Sequence, residues 1–200
     1  MSKTDKQNGI RQGLLLEYIT LGWNVVGVIV VIYAAIKASS IALAGFGIDS
    51  LIEILASAVV VWQLKTIEDK REATSLRIIS IAFALLVSYV LIQIIHTLIS
   101  HSHPQPSLPG VIWLAVTFIA MMMLAFGKGK VGNKINNTVL ITESKVTRID
   151  AYLAAAVLVG IGLNGLLSWW WADPLAGLVI VYYGLRESHH VWHEANDLSK

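Results

Sequence analysis

The chain has 200 residues, is 56% hydrophobic and 14% charged, and carries a formal net charge of +2 with a mean hydropathy of +0.66. That composition excludes an ordinary soluble domain and points to a membrane protein. Cysteine is absent, which excludes both a disulfide framework and a thiolate metal site.

Residues 1–13 form a polar, basic segment ahead of the first apolar run. That run is too long for the core of a signal peptide and no small-residue cleavage site follows it, so it is expected to remain as a first span. Six apolar runs occur in chain order: Leu14–Ile36, Ser40–Leu64, Ile78–Ile99, Val111–Phe126, Val139–Leu167 and Trp169–Leu185. A helix needs about 20 residues to cross a hydrocarbon layer of about 30 Å, so the fourth and sixth are short and are expected to extend into their flanks. The connectors are KASS, KTIEDKREATS, SHSHPQPSLPG and GKGKVGNKINN, all rich in turn-forming or charged residues. Asp173 and Pro174 supply an N-cap and a first-turn proline for the last helix. The expected architecture is an all-α membrane protein of six transmembrane helices, with residues 14–186 as the membrane domain and 187–200 as a short tail.

Lysine and arginine set the orientation, because they stay on the cytoplasmic side during insertion. Lys3, Lys6 and Arg11 precede the first run; Lys65, Lys70, Arg71 and Arg77 surround the second connector. Lys128, Lys130, Lys134, Lys145 and Arg148 fall in or just after the fourth, and Arg186 and Lys200 follow the sixth, while Lys37 alone lies opposite. Both termini are therefore expected in the cytoplasm. On this reading the Lys-rich stretch 128–134 serves topology and anionic lipid, not nucleic acid. Trp169, Trp170 and Trp171 fall at the outer turn, where amphipathic rings favour the headgroups.

Within the second run, Asp49 and Glu53 are one helical turn apart and share a face. At about 1.5 Å per residue, Asp49 lies near mid-membrane, and Asp150 on the oppositely directed fifth helix reaches the same depth. One aspartate at a helix centre costs roughly 2.5–3.5 kcal/mol on an insertion scale, so acids retained there are expected to face a wet cavity or bind cations. The structural alternative makes them salt-bridge partners of Lys145 and Arg148, although both bases lie near the helix end and can snorkel outward. Crowded carboxylates hold protons that a divalent ion displaces, which gives a physical route to metal–proton exchange.

The stretch "GIDSLIEILAS" resembles the helix 2 segment of the cation diffusion facilitator, or cation efflux, family. "RIDAYLAAAVLVGIGLNGLLSWWWADPLAGLVIVYYGLRE" resembles its helices 5 and 6. The resemblance implies a six-helix bundle that exports divalent metal ions in exchange for protons, with Asp49, Glu53 and Asp150 as metal ligands. It further implies a multi-pass protein of a bacterial plasma membrane, in a short form without the cytoplasmic C-terminal domain of many members. A homodimer would then form through the membrane helices. In the family helix 5 usually supplies two ligands four residues apart; here the second position is Val146 or Ala154, depending on whether Asp150 comes second or first. Glu143 and Thr147, on the face of Asp150, and Asn24 on helix 1 are the expected substitutes. No other cofactor is implied. An oxygen-only ligand set favours manganese-class ions over zinc.

Other polar residues have blander readings. His96, His101 and His103, and His189, His190 and His193, are read as solvent-exposed, with weak metal capture as the second reading. Glu17 is expected to meet Arg11 or headgroups, with guarding an entrance as the second reading, and Met121–Met123 to serve packing or lipid contact, since consecutive residues point around a helix. Gly160 and Gly165 suit close helix packing. The competing function is a membrane interaction or metal-responsive regulatory protein of the same fold that does not transport. An enzyme is not expected, because no nucleophile–base pair, nucleotide loop or metalloprotease motif occurs.

Overall fold

The computed structural model describes residues 3–38, 41–65, 70–100, 108–167, 169 and 172–198. Their regular structure is entirely helical: α1 (Lys3–Ala38), α2 (Ile41–Lys65), α3 (Lys70–Ser100), α4 (Leu108–Ile135), α5 (Thr138–Leu167) and α6 (Ala172–Asp197). Five stretches among them are long and apolar enough to cross a membrane: Asp5–Lys37, Phe46–Lys65, Glu72–Ser100, Leu108–Ile135 and Thr138–Leu163. His101, His103, Ser168, Trp170, Trp171 and the side chains of Asn164, Gly165, Asp173 and Pro174 lie outside the described residues.

Helices α1, α2, α5 and α4 pack in a ring, each against the next, and the α3–α6 pair lies against α2 and α5. The α3–α6 seam is closed by small and polar residues. Ser80 Oγ donates to the Ser188 carbonyl at 2.8 Å, and Ser188 Oγ donates back to the Ser80 carbonyl at 3.0 Å. Between helices in lipid, where apolar burial gives little drive, such reciprocal bonds and close approach hold the pair. Large apolar side chains face outward while charge is buried beside the apolar core: Phe126 is 74% exposed, whereas Lys128, two residues on, is 0% exposed.

The α4–α5 connection is shorter than the sequence suggests. GKGKVGNKINN is helical as far as Ile135, leaving only Asn136 and Asn137 between the helices. Its glycines serve close approach, not turning. A Cβ on Gly132 would lie 3.0 Å from the backbone nitrogen of Ile141 on the facing helix. The turn itself is a Schellman motif. Asn136 adopts φ 52°, the left-handed conformation that asparagine tolerates. Its amide bonds the Asn133 carbonyl at 3.3 Å, and the amide of Asn137 bonds that of Gly132 at 3.0 Å. Asn137 then caps α5, its Oδ1 accepting from the Leu140 amide at 2.8 Å. Its Nδ2 donates to Gln63 Oε1 on α2 at 3.1 Å.

Met121 is buried, Met122 half-buried and Met123 exposed, as expected for consecutive residues on a helix. The same end of the bundle gathers the start of α1, the end of α2, the start of α3, the α4–α5 turn and the end of α6. Gly9 abuts Ile135, Gln63 bonds Asn137 and Arg77 bonds Asn196.

Asn137→Ala removes the cap and the tie to α2, and should lower stability by about 1 kcal/mol or more. Asn136→Gly, which suits the left-handed turn, should leave it within about 0.5 kcal/mol. Thermal melts in detergent check both; equal melting temperatures for the native chain and Asn137→Ala would contradict the cap.

Candidate functional site

Among the described residues, the buried charged side chains all lie within the α1–α2–α5–α4 ring. On α1 the buried residues Gly13, Glu17, Thr20, Asn24 and Gly27 follow one another at three- and four-residue spacing, so small and polar groups form a stripe facing the ring. Asp49, Glu53 and Ser57 do the same on α2, and Glu143, Thr147 and Asp150 on α5. Helix α4 contributes Lys128.

Asp49 and Asp150 meet across the antiparallel α2–α5 contact. They are 2% and 1% exposed, and their carboxyl groups stand within hydrogen-bonding range of each other. Asp49 Oδ2 and both oxygens of Asp150 have no donor among the described residues. Two carboxylates in contact, three of whose four oxygens lack a donor, are stable only with a proton or a cation between them. This pair lies about 18 Å along α5 from its start at Thr138.

One turn nearer that end the arrangement changes. Lys128 Nζ donates to Glu143 Oε1 at 2.6 Å and to Thr147 Oγ1 at 2.9 Å, and forms an ion pair with Glu17 Oε2 at 3.0 Å. Ser57 Oγ also donates to Glu143 Oε1, at 3.1 Å. Thr147, accepting from Lys128, donates its own proton to Glu53 Oε1 at 2.7 Å. Glu53 is thereby held by the lysine cluster through one hydroxyl. Helix α4 is about 42 Å long, so a hydrocarbon layer of about 30 Å centred on it takes in Lys128. Beyond the cluster, toward the end where the termini lie, Gly13 faces Leu64 and Leu140 and closes the ring with apolar side chains.

These positions correct two sequence expectations. Lys128 is not a connector residue held by headgroups; it is helical and buried among acids. Glu17 is not at the lipid surface near Arg11; it pairs with Lys128. Lys145 and Arg148, the sequence candidates for neutralising the acids, do not reach them: Lys145 pairs with Glu187 on α6, and Arg148 is exposed. Of the six candidate ligands, the structure brings Asp49 and Asp150 into contact and places Glu53 on the neighbouring network. Glu143 and Thr147 are engaged by Lys128, and Asn24 Nδ2 donates to the Thr20 carbonyl of its own helix at 3.1 Å. Among the described residues no three His, Asp or Glu side chains converge as a ready-made metal cage.

Among the described residues the buried set therefore comprises five carboxyl groups (Glu17, Asp49, Glu53, Glu143, Asp150) and one ammonium, Lys128. With every group ionised it would carry a charge of about −4, which a low-dielectric interior does not tolerate. The set must take up protons or cations.

Compared with known protein families, residues 18–195 match the family described as the cation efflux transmembrane domain. Comparison with curated proteins gives no match.

Lys128→Met strands Glu17 and Glu143 without their cation and should destabilise the fold by about 3–5 kcal/mol. Changing Glu17, Lys128 and Glu143 all to Met should recover most of that loss. Melting temperatures in detergent decide; a single variant as stable as the native chain would show that the ammonium does not balance these acids.

Proposed function

Since the chain belongs to the cation efflux family, and so transports cations across a membrane, we propose that its cargo is a divalent metal ion exchanged for protons at Asp49 and Asp150. The observation that carries this reading is the contact of two buried carboxyl groups, three of whose four oxygens have no donor among the described residues. A proton satisfies the pair in one state and a dication in the other, so loading one releases the other.

Each neighbouring residue then has a role. Glu53, on the same α2 face one turn from Asp49, is the third ligand, and it joins the ion by turning away from Thr147. Thr147 positions Glu53 until that happens. Lys128, with Glu17 and Glu143, is a resident cation cluster lying between the acid pair and the end of the bundle that bears the termini. It keeps mobile ions from settling there and bars the way to that end in the conformation described. The ligands are all oxygens, which suits a manganese-class ion better than zinc. One chain supplies the whole pair, so the proposal holds for a monomer or a homodimer alike.

The regulatory rival predicts a different outcome for one experiment. In proteoliposomes with an internal pH dye, the native chain should carry Mn²⁺ with proton movement in the opposite direction. Asp49→Ala and Asp150→Ala should fall to the leak rate. Acidifying the side from which metal loads should slow the native flux, because protons return to the carboxyl pair. Leak-level flux in all three proteins, or native flux indifferent to a pH gradient, would overturn the proposal.

A further inference from the structure

Helix α6 does not stop with the apolar run. It continues through Glu187, Ser188, His189, His190, Val191, Trp192 and His193 to Asp197, at the end of the bundle that bears the termini. Four-residue spacing stacks His189 over His193 on one face. Their Nε2 atoms are 3.1 Å apart, and the ring centroids 4.4 Å apart, tilted by 59°. Both side chains are exposed and lie at a cavity of about 700 Å³, lined also by Lys145, Arg186, Glu187 and His190.

We propose that His189 and His193 form a bidentate binding site for a borderline transition-metal ion of the zinc, nickel or copper(II) class, separate from the Asp49–Asp150 pair. Three features of the geometry carry this. First, two imidazolium rings would each present only donors at Nε2, so this contact requires one ring to offer a lone pair, the form that ligates metal. Second, a tetrahedral ion with Zn–N bonds of 2.0–2.1 Å holds its nitrogens about 3.3 Å apart. The pair reaches that spacing with a small opening of the rings. Third, the cation nearest by sequence on α5, Lys145, is already paired with Glu187, which leaves Arg186 as the lining charge that opposes a metal ion. Exposure leaves water to complete the coordination sphere. An anion drawn to Arg186 and the histidines is the alternative occupant of the cavity, but the Nε2–Nε2 contact favours the metal.

The ligand chemistry here is the opposite of that in the membrane interior. Nitrogen donors select zinc, nickel and copper, whereas the oxygen-only acid pair suits harder ions. The rim site therefore stands or falls independently of the transport reading.

The test is Ni²⁺ titration calorimetry on the full chain without a polyhistidine tag, in detergent, with Asp49→Asn and Asp150→Asn present to silence the interior. One Ni²⁺ site is expected. Loss of an outer-shell contact alone typically weakens a metal site by about 10–100-fold, so His189→Ala and His193→Ala should each weaken binding by at least about tenfold. His190→Ala, about 100° around the helix, should retain it, and Mn²⁺ in place of Ni²⁺ should give no saturable heat. Copper(II) bound to the parent should show two-nitrogen splitting in its electron paramagnetic resonance spectrum. Unchanged Ni²⁺ binding in both pair variants, equal loss in His190→Ala, or saturable phosphate binding that excludes Ni²⁺ would overturn the assignment.

Discussion

One ammonium cannot neutralise five carboxyl groups, and the interior of this bundle is built around that imbalance. Lys128 is shared as an ion-pair partner between Glu17 and Glu143, and it also donates to Thr147. Deeper in the ring no ammonium reaches Asp49 and Asp150, and three of their four carboxyl oxygens have no donor among the described residues. In a medium that penalises unpaired charge by several kcal/mol per ion, that shortfall has to be met from outside the protein. A proton and a divalent ion are the two occupants that fit a carboxyl pair. On the proposed reading, their mutual exclusion turns a buried charge problem into an exchange site.

The fold places these groups through ordinary local rules. The two-residue turn at Asn136 and Asn137 ends α4 with a Schellman motif and starts α5 with an asparagine cap. That turn, together with the close approach at Gly132, fixes the register of the two helices, so that Lys128 faces Glu143 and Thr147 across the seam. The antiparallel α2 carries Asp49 and Glu53 to the levels of Asp150 and Thr147. Thr147 links the two halves: it accepts from the resident cation and donates to Glu53. Glu53 is thereby tied to the lysine cluster by a single hydroxyl.

Much of this was legible in the sequence. The apolar runs mark the helices, the 49/53 spacing marks a shared face, and Asp150 on an oppositely directed helix marks a partner at equal depth. The buried lysine was not, because a Gly- and Lys-rich stretch has the composition of a connector and a count of loop charges assigns its lysines to headgroups. The signal was present in the periodicity. Gly110, Leu114, Thr117, Met121, Leu124, Lys128, Gly132 and Ile135 recur at three- and four-residue steps and are the buried face of α4. Lys130 and Lys134 fall out of phase and are exposed. Glu17 was misread for the same reason: it lies in phase with Gly13, Thr20 and Asn24, a fact that its nearness to the basic N-terminal segment concealed. Side-chain pairing across the ring was beyond sequence reasoning, since any of Lys128, Lys145 and Arg148 has a length and charge suited to an acid.

The central claim is that metal and protons compete for the Asp49–Asp150 pair, and proton release on binding tests it most directly. Mn²⁺ added to the detergent-solubilised protein in weakly buffered solution should release about one proton or more for each ion bound, and Asp150→Asn should abolish both the binding and the release. Stoichiometric Mn²⁺ binding with no proton released, or binding undiminished in Asp150→Asn, would contradict it.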